Sequence, residues 1–247
     1  MHAKFYIPAE GSYVNGFQAY LAIALLVDLP PKDVRPAIEK RLVEEILIHR
    51  KGHIHAGITG GAFLFKTLLA LDRQDLIYTM ANKTTYPGWG DMLRTGATAI
   101  YESWNMDNSL CHSSYLYIGT WFIEGLAGIR SDLRSPGFQR FILKPGLVDD
   151  PSLTWVKAHH DSLYGRVVSH WKIDDAGILT WNVTVPPNTT ATVLLPTTDA
   201  KTITEGGRPI ANATGVKSVA AEKDRVTLEV QPGAYEFRSA VSSHRKL

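Results

Sequence analysis

Apolar positions recur at spacings of three and four between about residues 15 and 128, and at every second residue after about 130. The run from Phe17 to Leu29 is apolar nearly all round, as in a helix buried between neighbours, and Asn15-Gly16 supplies a start signal. Pro30-Pro31 ends it, and Pro31 suits the first turn of the next helix. That helix should reach about His49, because Val34, Ile38, Leu42, Val43, Ile46 and Leu47 share one side. Glu39, Lys40, Arg41, Glu44 and Glu45 fall mostly on the other. Gly57 to Gly61 then interrupts the pattern, and helices are expected from Ala62 to Leu71 and from Asp72 to Ala81. A loop-rich stretch from Asn82 to Leu110, punctuated by Pro87, Gly88, Gly90 and Gly96, precedes a helix from His112 to Leu126 capped by Gly128.

Beyond residue 130 the short runs Phe141 to Leu143, Thr154 to Ala158, Gly165 to Ile173, Ile178 to Val185, Ala191 to Leu195, Val226 to Val230 and Ala234 to Phe237 read as strands. Asp174-Asp175-Ala176-Gly177, Pro186-Pro187-Asn188, Glu205-Gly206-Gly207 and Gln231-Pro232-Gly233 separate some of them as turns. This spacing predicts an antiparallel β-sandwich. A polar tail from Ser239 is expected to fray. The change of period puts a domain boundary near residues 129 to 140, and the large apolar groups Trp155 and Trp171 suggest that the two parts pack together. A barrel of paired helices needs roughly twice the helical residues found here, at about a dozen per helix, so the helical part looks truncated at its N-terminus.

Composition narrows the function classes. With 26 Lys and Arg against 24 Asp and Glu, the net charge of +2 leaves no basic footprint for nucleic acid. The longest apolar stretch, Leu21 to Val27, is too short to span a bilayer, and the N-terminus lacks the pattern of a signal peptide. The location stays open: cytoplasmic or, if the true start lies upstream, periplasmic or secreted. Sequons at Asn82, Asn182, Asn188 and Asn212 matter only in a secreting eukaryotic host. A single cysteine, Cys111, excludes an internal disulfide. Six Trp and ten Tyr suit either sugar faces or cores.

The densest chemistry lies between Tyr86 and His112. Glu102 sits among Ile100, Tyr101 and Trp104, where desolvation favours the protonated acid and suits proton transfer; a capping or ion-paired glutamate fits the same pattern. His112, ten residues later, opens the expected helix as a functional group or as a cap. Adjacent Cys111 and His112 project differently and make a poor nucleophile pair. His53, His55 and His112 could in principle hold zinc, but no carboxylate spacing supports a metal site, and no cofactor is expected. His159-His160-Asp161 reads as an exposed or interdomain turn rather than a site. No phosphate loop or nucleophile elbow is present.

The segment Gly96-Ala97-Thr98-Ala99-Ile100-Tyr101-Glu102-Ser103-Trp104 resembles the G-A-T-T-x-W-E-x-W segment of bacterial α-L-rhamnosidases, glycoside hydrolase family 78. Flanking pieces follow in the same order. Tyr13 to Gln18 resembles Y-x-N-G-x-Q, His53 to Leu64 resembles G-H-x-x-T-G-x-x-G-x-x-x-L, and Thr84 to Met92 resembles T-x-Y-P-S-W-G-x-M. Ser109 to His112 stands where the family has S-x-N-H, and Glu124 to Ile129 and Pro136 to Phe138 follow as in the family. In the sandwich, Asp161 to Gly165 resembles D-S-x-Y-G and Val185 to Ala191 resembles V-P-P-N-T-T-A.

The resemblance implies a mainly-α plus all-β chain: residues 1–130 as the C-terminal portion of an (α/α)6 six-hairpin barrel, 131–240 as an antiparallel β-sandwich and 241–247 as a tail. It implies an inverting hydrolase for rhamnose-containing glycosides or polysaccharides. Glu102 stands for the general base, His112 for a sugar contact, and Trp89 and Trp104 for aromatic positions of the pocket. Cys111 departs from the usual Asn, and the interval from Trp104 to Cys111 is shorter than in many members. The general acid of the family belongs to an Asp- and Trp-rich segment ahead of the Asn15 helix, which these residues do not include. Poor hydrolysis by the chain alone is therefore expected, as is association with itself or a partner through apolar faces such as Leu21, Ile23 and Leu25. The alternatives are a non-catalytic carbohydrate-binding or assembly protein of the same fold, or another α/α-barrel glycosidase or lyase.

Overall fold

In the computed structural model, which describes residues 1–222 and 224–241, the two sequence periods become two units, residues 1–121 and Phe122 onward. The first opens with α1 (His2–Phe5) and the short antiparallel pair β1 (Tyr6–Ile7) and β2 (Ser12–Tyr13). Helices follow as α2 (Gln18–Leu26), α3 (Arg35–Glu44), α4 (Ile58–Ala70), α5 (Gln74–Ala81), α6 (Trp89–Arg94) and α7 (Tyr117–Thr120). Both α3 and α7 run on into π-helical turns, Glu45–His49 and Trp121–Leu126. Leu21, Leu25, Ile38, Leu42, Ile46, Leu64, Phe65, Leu68, Ile77 and Met80 are buried in this unit.

Several local expectations change in the structure. Asn15 does not cap α2; its Oδ1 accepts the Phe17 N–H and closes the turn before the helix. Pro36, not Pro31, occupies the first turn of α3, because the Val34 and Arg35 amides bond the Pro31 carbonyl in a separate turn. Leu21 and Leu25 are buried, not exposed, because α2 lies between α3 and α4. Gly60 and Gly61 do not break α4 but lie inside it. A Cβ on Gly60 would meet Ala19 Cβ at 2.7 Å, and one on Gly61 would meet Tyr117 Oη at 2.1 Å. These glycines let α4 approach its neighbours, an advantage that outweighs their poor helix propensity of about 1 kcal/mol each. Thr67 Oγ1 ties the same helices by donating to the Ala22 carbonyl at 2.8 Å. The expected helix at His112 begins only at Tyr117, because His112 Nδ1 accepts the Ser114 N–H and holds the chain in a turn.

The second unit contains β3 (Ile129–Ser131), β4 (Arg140–Leu143), β5 (Trp155–Ser162), β6 (Gly165–Ile173), β7 (Ile178–Val185) and β8 (Thr190–Leu195). It continues with β9 (Thr204–Glu205), β10 (Arg208–Pro209), β11 (Val216–Ala221), β12 (Val226–Val230) and β13 (Gly233–Ala240). One sheet has the order β10-β9-β13-β7-β6-β5 and the other β11-β12-β8-β4-β3. Their inner faces share a core of Trp171, Trp181 and Phe237 with Phe141, Leu143, Val193 and Leu228. All pairings are antiparallel except β4 with β8, which is parallel. Strand β13 runs to Ala240 with Ser239 buried, so fraying does not begin at Ser239; residues 242–247 lie outside the described residues. Trp171 is buried within its own sandwich, whereas Trp155 is 61% exposed.

The indole N–H groups of Trp171 and Trp181 inside this core are paired. Ser169 Oγ donates to the Ala127 carbonyl at 2.6 Å and accepts Trp181 Nε1–H at 2.9 Å, while Trp171 Nε1–H donates to the Leu126 carbonyl at 2.8 Å. Ser169→Ala would strand both a buried donor and a buried acceptor. We expect a loss of roughly 2–3 kcal/mol, read as a lower urea midpoint at unchanged slope. A loss below roughly 0.5 kcal/mol, the size of an ordinary surface substitution, would show that the relay contributes nothing.

Candidate active site

Residues 100–112 form a loop closed by its own main chain. Glu102 N–H donates to the Ser109 carbonyl at 2.9 Å, and His112 N–H donates to the Ile100 carbonyl at 2.7 Å. Glu102 and His112 therefore stand on opposite legs of one tied loop. Glu102 is half-buried; its Oε2 accepts Ser109 N–H at 3.2 Å, and Oε1 has no protein partner among the described residues. His112 is exposed and accepts Ser114 N–H on Nδ1 at 3.0 Å. A backbone amide can only donate, so the neutral ring carries its proton on Nε2 and offers it outward. The Cys111 thiol is exposed and free.

The two tryptophans anchor this loop. Trp104 stacks on Tyr115 with ring centroids 3.8 Å apart, and its Nε1–H donates to the Ala56 carbonyl at 2.9 Å. Trp89 lies behind it in edge contact at 5.1 Å, only 6% exposed, and donates to the Tyr115 carbonyl at 3.2 Å. Phe65 and Tyr117 complete the aromatic cluster. Burial raises the pKa of the Tyr115 and Tyr117 hydroxyls, which keeps both neutral.

A cleft of about 710 Å³ opens within the same unit, lined by Trp104 with Phe17, Tyr20, Arg50, His53, His55 and Tyr86 among others. Of the four residues singled out from the sequence, Trp104 lines it; Glu102, His112 and Trp89 do not. The extended wall is held by fully buried Gln18, which donates through Nε2 to the His53 carbonyl at 2.9 Å and accepts His55 N–H at 2.8 Å. Gln18 thus acts as a two-point bracket where a strand would otherwise be needed. The carbonyl of Arg50 accepts His53 Nδ1–H at 3.0 Å, so Nε2 is the acceptor for the Thr85 hydroxyl at 2.7 Å. Arg50 is fixed over the Phe17 ring and paired through Nε with buried Glu45 at 2.7 Å. Burial and then the Arg50 charge push the His55 pKa below the usual histidine value. Arg50 and Tyr20 escaped sequence reasoning, whereas Gln18, His53 and His55 lay within the segments that carry the family resemblance. Among the described residues no group of three or more His, Cys, Asp or Glu converges as a metal site would require, and no helix is long and apolar enough to cross a membrane.

A helical unit bearing an acid on a tied loop, followed by a β-sandwich, is the order in which a six-hairpin glycosidase domain and its C-terminal domain match this chain. Residues 1–126 match the bacterial α-L-rhamnosidase six-hairpin glycosidase domain, and residues 128–208 match the bacterial α-L-rhamnosidase C-terminal domain. The chain belongs to the bacterial α-L-rhamnosidase family.

An α-L-rhamnosidase of Formosa agariphila is 30% identical over 93% of the chain, which spans 25% of that relative. One from Alteromonas sp. is 31% identical over 72% of the chain and 20% of its own length. The crystal structure of the Streptomyces avermitilis α-L-rhamnosidase complexed with L-rhamnose superposes with a TM-score of 0.82 at 25% identity, over 94% of this chain and 22% of that one. The Dictyoglumus thermophilum enzyme gives 0.83 at 25% identity, over 97% and 27%. The chain therefore spans about a fifth to a quarter of the relatives it matches.

Proposed function

We propose that the chain forms part of an inverting hydrolase that releases terminal α-L-rhamnose from glycosides or polysaccharides. In this reading residues 1–130 belong to the catalytic barrel and 131–240 to its sandwich. Glu102 is the general base: its free Oε1 takes a proton from the attacking water while Ser109 N–H steadies Oε2. His112, with Nε2–H directed outward, donates to a sugar hydroxyl. Trp104 offers a partly open aromatic face beside the cleft, and Trp89 holds Trp104 in place from behind. The tied loop bearing Glu102 and His112 on its two legs is the observation that carries this reading.

Inversion needs a second carboxyl roughly 6.5–9.5 Å from the base, with water between. By resemblance that acid belongs to the segment ahead of the Asn15 helix. The 247 residues alone should therefore hydrolyse rhamnosides poorly and should associate with themselves or with the remainder of a barrel. The test is an aryl α-L-rhamnoside assay of the 247-residue chain, alone and grafted in place of the matching segment of the Streptomyces avermitilis enzyme. Background rates alone and turnover in the chimera support the proposal; a folded chimera without turnover overturns it.

A further inference from the structure

The outer face of the six-stranded sheet carries a second groove, of about 540 Å³, whose lining includes Trp155, Lys157, His170, Lys172 and Asn182. Register explains how they meet. Trp155 stands opposite Lys172, Lys157 opposite His170, and His170 opposite Asn182, so alternate positions of β5, β6 and β7 face outward together. Trp171, between His170 and Lys172, points the other way into the core.

Two properties of this face call for a ligand. Trp155 is 61% exposed at the start of an edge strand, so its indole presents an open aromatic face beside the lysines. Lys157 and Lys172 have no ion pair or hydrogen bond to protein among the described residues. Lysines on an edge strand deter strand addition, but an open tryptophan does not serve that purpose. Every charged side chain lining the groove is basic. Of the acids nearby on this sheet, Asp161 is bound by Arg166 at 2.7 Å, and Glu236 lies one strand beyond Asn182. Burial first, and then the neighbouring Lys157 and His159, lower the pKa of His170.

We propose that this groove binds an acidic sugar unit of a polysaccharide, with its ring face on Trp155 and its carboxylate met by Lys157 and Lys172. A pyranose presents a face of C–H groups that packs on an aromatic plane, while its hydroxyls take hydrogen bonds from groups such as Asn182 and His170. A single indole and a chain of net charge +2 do not make a nucleic-acid track, which needs successive aromatic platforms along a basic groove. The site lies wholly in the sandwich unit and uses no residue of the Glu102 loop. It would hold polymer independently of hydrolysis.

Calorimetric titration of the whole chain with an oligogalacturonate tests this, beside a neutral malto-oligosaccharide of equal length and an oligothymidylate. The acidic glycan should bind, and the neutral one should bind at least about tenfold more weakly. Trp155→Ala and the double variant Lys157→Glu/Lys172→Glu should each weaken binding about tenfold or more, whereas Lys201→Glu, away from the groove, should not. Circular dichroism establishes that each variant is folded, and either variant alone can decide the matter. Absence of oligogalacturonate binding, binding by both variants as tight as by the unaltered chain, or tighter binding of the oligothymidylate would overturn the proposal.

Discussion

Glu102→Gln should lower aryl α-L-rhamnoside hydrolysis in the chimera by about 10²- to 10⁴-fold, the range that a positioned general base contributes. Glutamine has nearly the same shape and can still accept Ser109 N–H, so the loop tied through Ser109 and Ile100 should keep its form. It cannot take a proton from water. The loss should therefore fall in kcat with KM little changed, because an interaction made only in the transition state is removed. His112→Ala should behave differently and raise KM more than it lowers kcat, since its Nε2–H is assigned to sugar binding. Activity retained within about threefold in Glu102→Gln would remove the general-base assignment, because so small a factor is less than 1 kcal/mol.

Gly128→Ala should be the most damaging single-methyl change in the sandwich. The residue has φ +74°, and an added Cβ would lie 1.9 Å from the Lys144 carbonyl oxygen and 2.7 Å from Pro145 N. Those are backbone atoms of the segment that continues β4, and Lys144 N–H already bonds the Gly128 carbonyl at 2.9 Å. Neither side can yield without breaking the β3–β4 ladder. A loss above roughly 4 kcal/mol is expected, enough to leave little soluble folded protein. Gly206→Ala is the internal comparison: its φ is +53° but nothing lies within 4 Å, so only the left-handed backbone cost of about 1–2 kcal/mol should appear. Equal unfolding midpoints for the two variants would show that the close approach at Gly128 is not a constraint.

The fold was legible where periodicity is strong. Gly165 to Ile173, Ile178 to Val185 and Val226 to Val230 are strands with the bounds read from the sequence, because alternation and turn residues agree there. It was least legible where a tertiary contact overrides local chemistry. Gly60 and Gly61 look like breakers, and only the positions of Ala19 and Tyr117 show why they sit inside a helix. The short strands β3, β9 and β10 contain two or three residues each, too few to show a period. Tyr86, Trp89, Trp104 and Glu102 stood out as an aromatic-rich segment carrying one acid. The wall did not: Gln18 and His55 lay in recognisable segments, but their meeting, and the part of Arg50, depend on a buried amide reaching across 35 and 37 residues of chain.

The parallel pairing of β4 with β8 sets a timetable for folding. Arg140 to Leu143 aligns with Thr190 to Val193, and β8 in turn needs β12, while β7 needs β13. Neither sheet can be completed from neighbours in sequence. On the ribosome, β4 would wait with its apolar edge uncovered through the synthesis of some fifty residues, until β8 emerged. Such non-local closure is slow compared with helix formation, so the helical unit has time to form first. Chains interrupted anywhere between β4 and β13 would expose unpaired strand edges, and the nascent sandwich is where chaperone binding should concentrate.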